Sequence, residues 1–341
     1  MTEAAQHYQS QLANTARKQG YNLATIMLPD HVDRNSAERC LIQASGARTD
    51  DRVPLPKGSV KGVLGAFVAS ALETLPAKHY ALLVMGHGSG LLRAQGAAGL
   101  SPRSLRDELE PAVAGLGCPL DLVGLDTCFG GSLEVACELR GTCRFLTAAP
   151  GLIYSPGLAW SEALESSSSQ PVDVARNVVK AGMPGEGTVA LLALDLSRLP
   201  AVSSGLSALT AALRNHLVEL APTMTFVRSR TRSWGEKNEL CDVRELAARL
   251  QGNTANAEVS QASAQVIAAV DDMVVARWQG AGQGGEALGL GIYYPPTVEE
   301  VPAGYAREFE LAAMTGWAAY LRESWGRVSG MWIGAPSSST E

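Results

Sequence analysis

Aromatic side chains are scarce in this chain of 341 residues: Phe, Trp and Tyr make up 6% of it. Ala, Leu and Val must therefore supply most of any core, and 35 glycines allow many loops and close backbone contacts. Long apolar runs are missing too. No stretch reaches the eighteen or so apolar residues that a membrane-spanning helix needs, so no membrane partner is expected. Residues 1–7 carry no charged-then-apolar leader, which makes a cytoplasmic location the expectation. Positive charge is in deficit, with 28 Lys and Arg against 34 Asp and Glu and a formal net charge of −6. That balance speaks against nucleic acid as a partner, because phosphate contacts need clustered cations. The six cysteines, at 40, 118, 128, 137, 143 and 241, match no zinc spacing, and the chain is too long to need a disulfide framework.

What is present is an ordinary globular balance, on a chain long enough for one large domain or two small ones. Residues 3–19 have helical character, and 21–28 form an apolar strand candidate. Residues 31–57 have no clean period and are expected to be irregular. Val60, Val63, Leu64, Phe67, Val68, Ala71 and Leu72 recur at helical spacing. Then come a strand at 80–85, a helix from the cap Ser101 to about Glu110, a strand at 120–125, a short helix ending near Leu139 and a strand at 144–147. Strands alternating with helices point to a parallel sheet covered by helices, with ligands at the carboxyl ends of its strands. Further on, 188–194 and 288–294 are strand candidates, while 197–220, 257–271 and 303–325 are helical. The expectation is a single domain over 1–326, with a core at about 20–200, a C-terminal half at about 200–326 and a flexible tail at 327–341.

Two strand ends carry reactive residues: Met85-Gly86-His87-Gly88-Ser89-Gly90 and Leu125-Asp126-Thr127-Cys128-Phe129-Gly130-Gly131. If those strands are neighbours, His87 and Cys128 share one rim. A Cys–His pair is the minimum for thiol acyl transfer, the thiolate attacking a carbonyl and the imidazolium protonating the leaving amine. Cys128 precedes a helix start, which with the nearby His should favour its thiolate. The flanking glycines let a substrate backbone approach, and the N–H groups of Gly88 and Cys128 are candidates for holding an oxyanion. Either motif alone is weak, since a strand-end Cys is usually packing and a His in a Gly loop is often a turn residue.

Longer stretches carry a resemblance. Ala77-Lys78-His79-Tyr80-Ala81-Leu82 leads into the His87 motif, and Ser132-Leu133-Glu134-Val135-Ala136 follows the Cys128 motif. Gly289-Leu290-Gly291-Ile292-Tyr293-Tyr294-Pro295 and the last helix with Trp317 complete the pattern. From about residue 20 to 326 the chain resembles the clostripain family of cysteine peptidases, within the caspase-like group. The resemblance implies a caspase-like αβα sandwich with a mostly parallel central sheet. It also implies His87 as general acid/base and Cys128 as nucleophile. Asp126 would favour Arg, or Lys, before the scissile bond, as a carboxylate pairs well with a guanidinium. Its alternative role is to cap backbone N–H groups at a strand end. Two departures stand out: no apolar strand precedes the first helix, and residues 148–157 hold no acid. Asp195 could supply a further substrate contact, or cap the following helix.

Arg93, Arg103 and Arg106 lie between the two motifs, and cleavage after one of them, by the enzyme itself or an upstream activating protease, is a possible activation step. Arg228, Arg230 and Arg232 read as an exposed loop. No cofactor is expected; some family members need calcium, but no acidic loop here has ligand spacing. A monomer acting on a protein or peptide substrate is expected. The rival reading is a caspase-like scaffold of weak catalysis that serves as a binding or switch protein. A serine hydrolase lacks support, for no Gly-x-Ser-x-Gly elbow occurs.

Overall fold

The structure, a computed structural model, describes residues 3–27, 36–55, 61–88, 101–154, 157–166, 170–182, 190–279, 289–297 and 301–332. The strands among them are β1 (Leu23–Met27), β2 (Ser36–Ile42), β3 (Arg48–Pro54), β4 (Ala81–Met85), β5 (Leu120–Asp126), β6 (Cys143–Ala148), β7 (Ala190–Asp195), β8 (Ser233–Trp234), β9 (Leu240–Asp242), β10 (Val274–Gln279) and β11 (Gly291–Tyr293). Two compact units share them. One comprises Met1–Gly131, Leu139–Leu196 and Val274–Gln283; the other comprises Ser132–Glu138, Ser197–Met273 and Gly284–Glu341. The boundary is therefore not a single one near residue 200. Residues 274–279 return to the first unit because β10 pairs with β7.

The first unit is built on a five-stranded sheet of order β10-β7-β6-β5-β4. β4 pairs in parallel with β5, and β5 with β6. β7 runs antiparallel to both β6 and β10, so the sheet is mixed but mostly parallel. Strands β5 and β7 are buried almost throughout, as expected for strands covered on both faces. On one face, Leu122, Phe145, Leu191 and Ala193 pack with Tyr8 and Leu12 of the helix Glu3–Gln19 and with Ala175, Val178 and Val179 of Pro171–Ala181. Full burial of each large apolar side chain contributes about 1.5–3 kcal/mol. Trp160 joins this cluster and lies over Gly124 so closely that a Cβ there would collide with its ring. That contact explains the glycine in the middle of a buried strand.

Residues 36–54 are not irregular, as the missing period suggests, but form a hairpin with β1 on its other side. The turn closes through the Gly46 N–H on the Gln43 carbonyl, with Gly46 at φ 87°. β3 is exposed and charged, so its order comes from main-chain pairing and from ion pairs such as Arg39–Asp51, not from an apolar face. The helix from Pro102 continues past Pro111 to Leu116, because Leu105, Leu109, Ala112 and Val113 keep one buried stripe across the proline; Gly117, at φ 77°, ends it.

In the second unit, β11, β9 and β8 form a small antiparallel sheet. The buried carboxylate of Glu134 accepts the Tyr293 N–H at 2.8 Å and the Tyr305 hydroxyl at 2.6 Å. Burial raises its pKa. Arg228 is not a loop residue: it lies in the last turn of the helix Leu217–Arg230, is buried, and donates to the Tyr294 carbonyl at 2.8 Å. The stretch 303–325 is broken into Tyr305–Glu308, Glu310–Met314 and Trp317–Trp332, the last break falling at Gly316 with φ 71°. The final helix thus enters the expected tail, whose residues 333–341 lie outside the described residues.

Gly124→Ala is expected to destabilise the protein by about 1–3 kcal/mol, the usual range for overpacking a filled core. Chemical denaturation checks this, and an unchanged midpoint would remove Trp160 as the reason for the glycine.

Candidate active site

The sheet register brings the two reactive motifs together. Met85 lies opposite Asp126 in the parallel pair, and the Gly86 N–H donates to the Asp126 carbonyl at 3.2 Å. Two residues beyond each strand end stand His87 and Cys128, on one rim. Contact between the loops is close: a Cβ on Gly88 would collide with the Cys128 carbonyl oxygen and come within 3.0 Å of its nitrogen. His87 is exposed and Cys128 half-buried. Ser89, Gly90 and Arg93 lie outside the described residues.

A third segment completes the rim. After β6 the chain runs back beside Cys128: Gly131 N–H donates to the Ala149 carbonyl at 2.8 Å, and Phe129 N–H to the Gly151 carbonyl at 2.9 Å. Phe129 holds φ at 61°, a left-handed conformation that an aromatic residue adopts only under such restraint. Ile153 then meets the thiol with both main-chain groups. Its N–H donates to Cys128 Sγ at 3.3 Å, and the thiol donates to its carbonyl at 3.6 Å. Among the described residues, the thiol's hydrogen bonds are thus to Ile153, and none joins it to His87.

Asp126 is 5% exposed. Its Oδ2 accepts the Leu158 N–H at 2.9 Å, and Gly157 lies against it so that a Cβ would come within 2.7 Å of the same oxygen. Gly157 also has φ 92°, so the close approach and the backbone both require glycine. Burial pushes the Asp126 pKa up to about 6, and the Leu158 N–H opposes that rise. This is the capping geometry, with the carboxylate turned to a backbone donor. The Leu158 carbonyl accepts the Tyr8 hydroxyl at 2.6 Å. Burial, then the Asp126 charge, raises the Tyr8 pKa, which keeps the hydroxyl a donor.

Asp195 does not join the site. β7 is antiparallel, and Asp195 stands opposite Phe145, itself level with Leu122. That is about 13 Å back along the sheet from the Asp126 end, at roughly 3.3 Å per residue. Arg103 and Arg106 lie in the helix Pro102–Leu116, as the cap at Ser101 suggests, and Arg106 donates to Asp107 at 2.9 Å. Helical backbone is a poor site for nicking compared with an exposed loop tip. Sequence reasoning missed Tyr8, Ile153 and Leu158, which act through a hydroxyl or the main chain and carry no reactive group to mark them.

A model of the clostripain family matches residues 56–325. The chain belongs to that family. Cysteine peptidase activity on peptide or protein substrates goes with membership, and the fold is of the caspase-like class. Clostripain-family peptidases generally work without a cofactor. Among the described residues, no group of three or more His, Cys, Asp and Glu is placed to hold a metal ion. No curated protein sequence matches the chain. Among solved structures, a secreted C11 cysteine protease from Bacteroides thetaiotaomicron bound to an irreversible peptide inhibitor is 17% identical, with 93% of this chain and 96% of that one covered and a TM-score of 0.65. A second structure of a secreted C11 protease from that organism, called iotapain, is 13% identical, with coverage of 94% and 95% and a TM-score of 0.64. An inactive zymogen C11 protease from Parabacteroides distasonis is 14% identical, with coverage of 92% and 93% and a TM-score of 0.67. Likeness at these identities is one of fold.

The cytoplasmic expectation is corrected by these neighbours. Two are described as secreted, and their descriptions point to an extracellular rather than a cytoplasmic location for those proteases. Residues 1–7 do not decide the matter, because a leader is removed from a mature chain.

Gly88→Ala is expected to lower kcat/KM at least tenfold, because the added methyl has no room against the Cys128 carbonyl. Steady-state hydrolysis checks it, and a fully active variant would mean that the two loops need not touch. Asp126→Asn tests the buried carboxylate. Its native pKa of about 6 exceeds the unfolded value of 3.8, so the stability it contributes is full below the unfolded value and lost as pH rises through about 6. The asparagine variant should gain on the wild type by on the order of 3 kcal/mol from about pH 4 to above pH 7. Unfolding free energies across that range measure the gain, and a difference independent of pH would contradict the buried-charge account.

Proposed function

We propose that this chain is an endopeptidase that cuts through a thioester on Cys128, with His87 as general acid and base. The observation that carries the reading is the β4–β5 register, which sets Gly88 against Cys128 at the carboxyl edge of the sheet. In the reaction the thiol proton passes to His87 and the thiolate adds to the substrate carbonyl carbon. The N–H groups of Gly88 and Cys128 are the proposed oxyanion donors. The imidazolium then gives its proton to the departing amine, and water cleaves the thioester to release the acid and regenerate the thiol.

Arg, and less so Lys, is the proposed residue before the scissile bond, with Asp126 as its counter-charge. A bound guanidinium would take over the carboxylate oxygen that now accepts the Leu158 N–H. Activation by cleavage is proposed at Arg93 alone, since Arg103 and Arg106 are helical. The second reading, a catalytically weak scaffold that serves as a binding or switch protein, draws on the thiol being hydrogen-bonded to Ile153.

Matched fluorogenic peptides ending in Arg, Lys, Asp or Leu test the proposal. The Arg peptide should turn over fastest, Cys128→Ala should abolish that turnover, and His87→Ala should reduce it by about 10²–10⁴. Equal turnover of Arg and Leu peptides would remove Asp126 from specificity. No turnover of any peptide, by intact or cleaved chain, would favour the switch protein.

A further inference from the structure

We infer that Tyr8 is a positioning residue for the nucleophile, tethering the segment whose Ile153 main chain caps the Cys128 thiol in the resting protein. The inference rests on the peptidase reading only in taking Cys128 as the nucleophile.

The geometry starts at the thiol. Its proton points to the Ile153 carbonyl, and its sulfur accepts the Ile153 N–H. A thiol that is to hand its proton to His87 must first leave that carbonyl, so the capped arrangement is a resting one. Leu152 is 42% exposed and Tyr154 is 47% exposed, leaving Ile153 itself as the side chain packed against the core.

On its upstream side the capping run is pinned by the Phe129 N–H on the Gly151 carbonyl at 2.9 Å, and on its downstream side the attachment runs through the backbone. Gly157 N–H donates to the Tyr154 carbonyl at 2.8 Å, which joins the capping run to the Gly157–Leu158 turn. That turn is held from two sides. Asp126 takes the Leu158 N–H at 2.9 Å, and Tyr8 gives its hydroxyl proton to the Leu158 carbonyl at 2.6 Å. Asp126 comes from the strand leading to the nucleophile itself. Tyr8 comes from the first helix, whose Lys18 pairs with Glu165 at 2.7 Å and whose Thr15 bonds the same carboxylate. The helix is thereby fixed beside residues 158–165, and its tyrosine holds the turn from outside the reactive loops. Burial of Tyr8 at 7% exposure means that no water replaces a lost hydroxyl without cost.

The structure supplies its own controls. Cys118 is exposed, and Cys143 and Cys241 are buried. In Tyr8→Phe, which keeps the packed ring and removes the hydroxyl from the Leu158 carbonyl and from beside Asp126, we expect Cys128 of the full chain to react with iodoacetamide about fivefold faster, the effect of losing about one hydrogen bond. The rate is read for each cysteine by peptide mass spectrometry. Cys118, Cys143 and Cys241 should be unchanged. An unchanged or slower rate at Cys128 would overturn the tether. Faster reaction at Cys143 and Cys241 along with Cys128 would also overturn it, by making Tyr8 a support of the whole fold. The alkylation needs no substrate. A selective gain at Cys128 without hydrolysis of any peptide would therefore keep the tether and sink the peptidase reading.

Discussion

The parallel pairing of β4 with β5 is the constraint on which the site depends. Parallel strands finish at the same edge, so two motifs separated by a whole helix in sequence reach one rim. Pairing Met85 with Asp126 sets the register, and the absence of a side chain on Gly88 lets the His87 loop touch the Cys128 backbone. A shift of one residue in that register would turn every strand side chain to the opposite face and expose the core of β5. The apolar packing of β5 thus protects the alignment of the reactive loops, and the stability of the sheet and the geometry of the chemistry are one requirement.

Glycine has two separate uses at this rim. Gly88 is needed for closeness alone, whereas Gly157 is needed for closeness to Asp126 and for a left-handed backbone. Between them they let main chain approach main chain around the thiol, where larger residues would keep the segments apart. The same economy places Ile153 against the sulfur through its peptide groups, whatever its side chain.

Asp126 illustrates how burial changes the meaning of a motif residue. In a chain of letters, an acid two positions before a reactive cysteine suggests a counter-charge for a basic substrate. In the fold it lies beneath Gly157 with its oxygen on the Leu158 N–H, and burial raises its pKa toward neutrality. Under the proposed Arg specificity, a substrate guanidinium would have to compete with the protein's own backbone for that oxygen.

The alternation of short apolar strands with helices, the glycines beside His87 and Cys128, and the family resemblance were legible from residues alone, because period and reactive chemistry are local properties. The hairpin at 36–54 was not, since a charged exposed strand such as β3 is ordered by main-chain pairing with a neighbour. The place of Asp195 was hidden for a related reason. Whether a strand runs with or against its neighbour is decided by pairing, and the antiparallel β7 carries that acid to the far edge. Arg103 and Arg106 lie in the helix expected from Ser101, and the structure extends that helix to Leu116. The sequence by itself determined which side chains could perform the chemistry and roughly which segments would be strands. Only the tertiary structure decided strand direction, the burial of Asp126 and the cap on the thiol, because each arises from contacts between segments far apart in the chain.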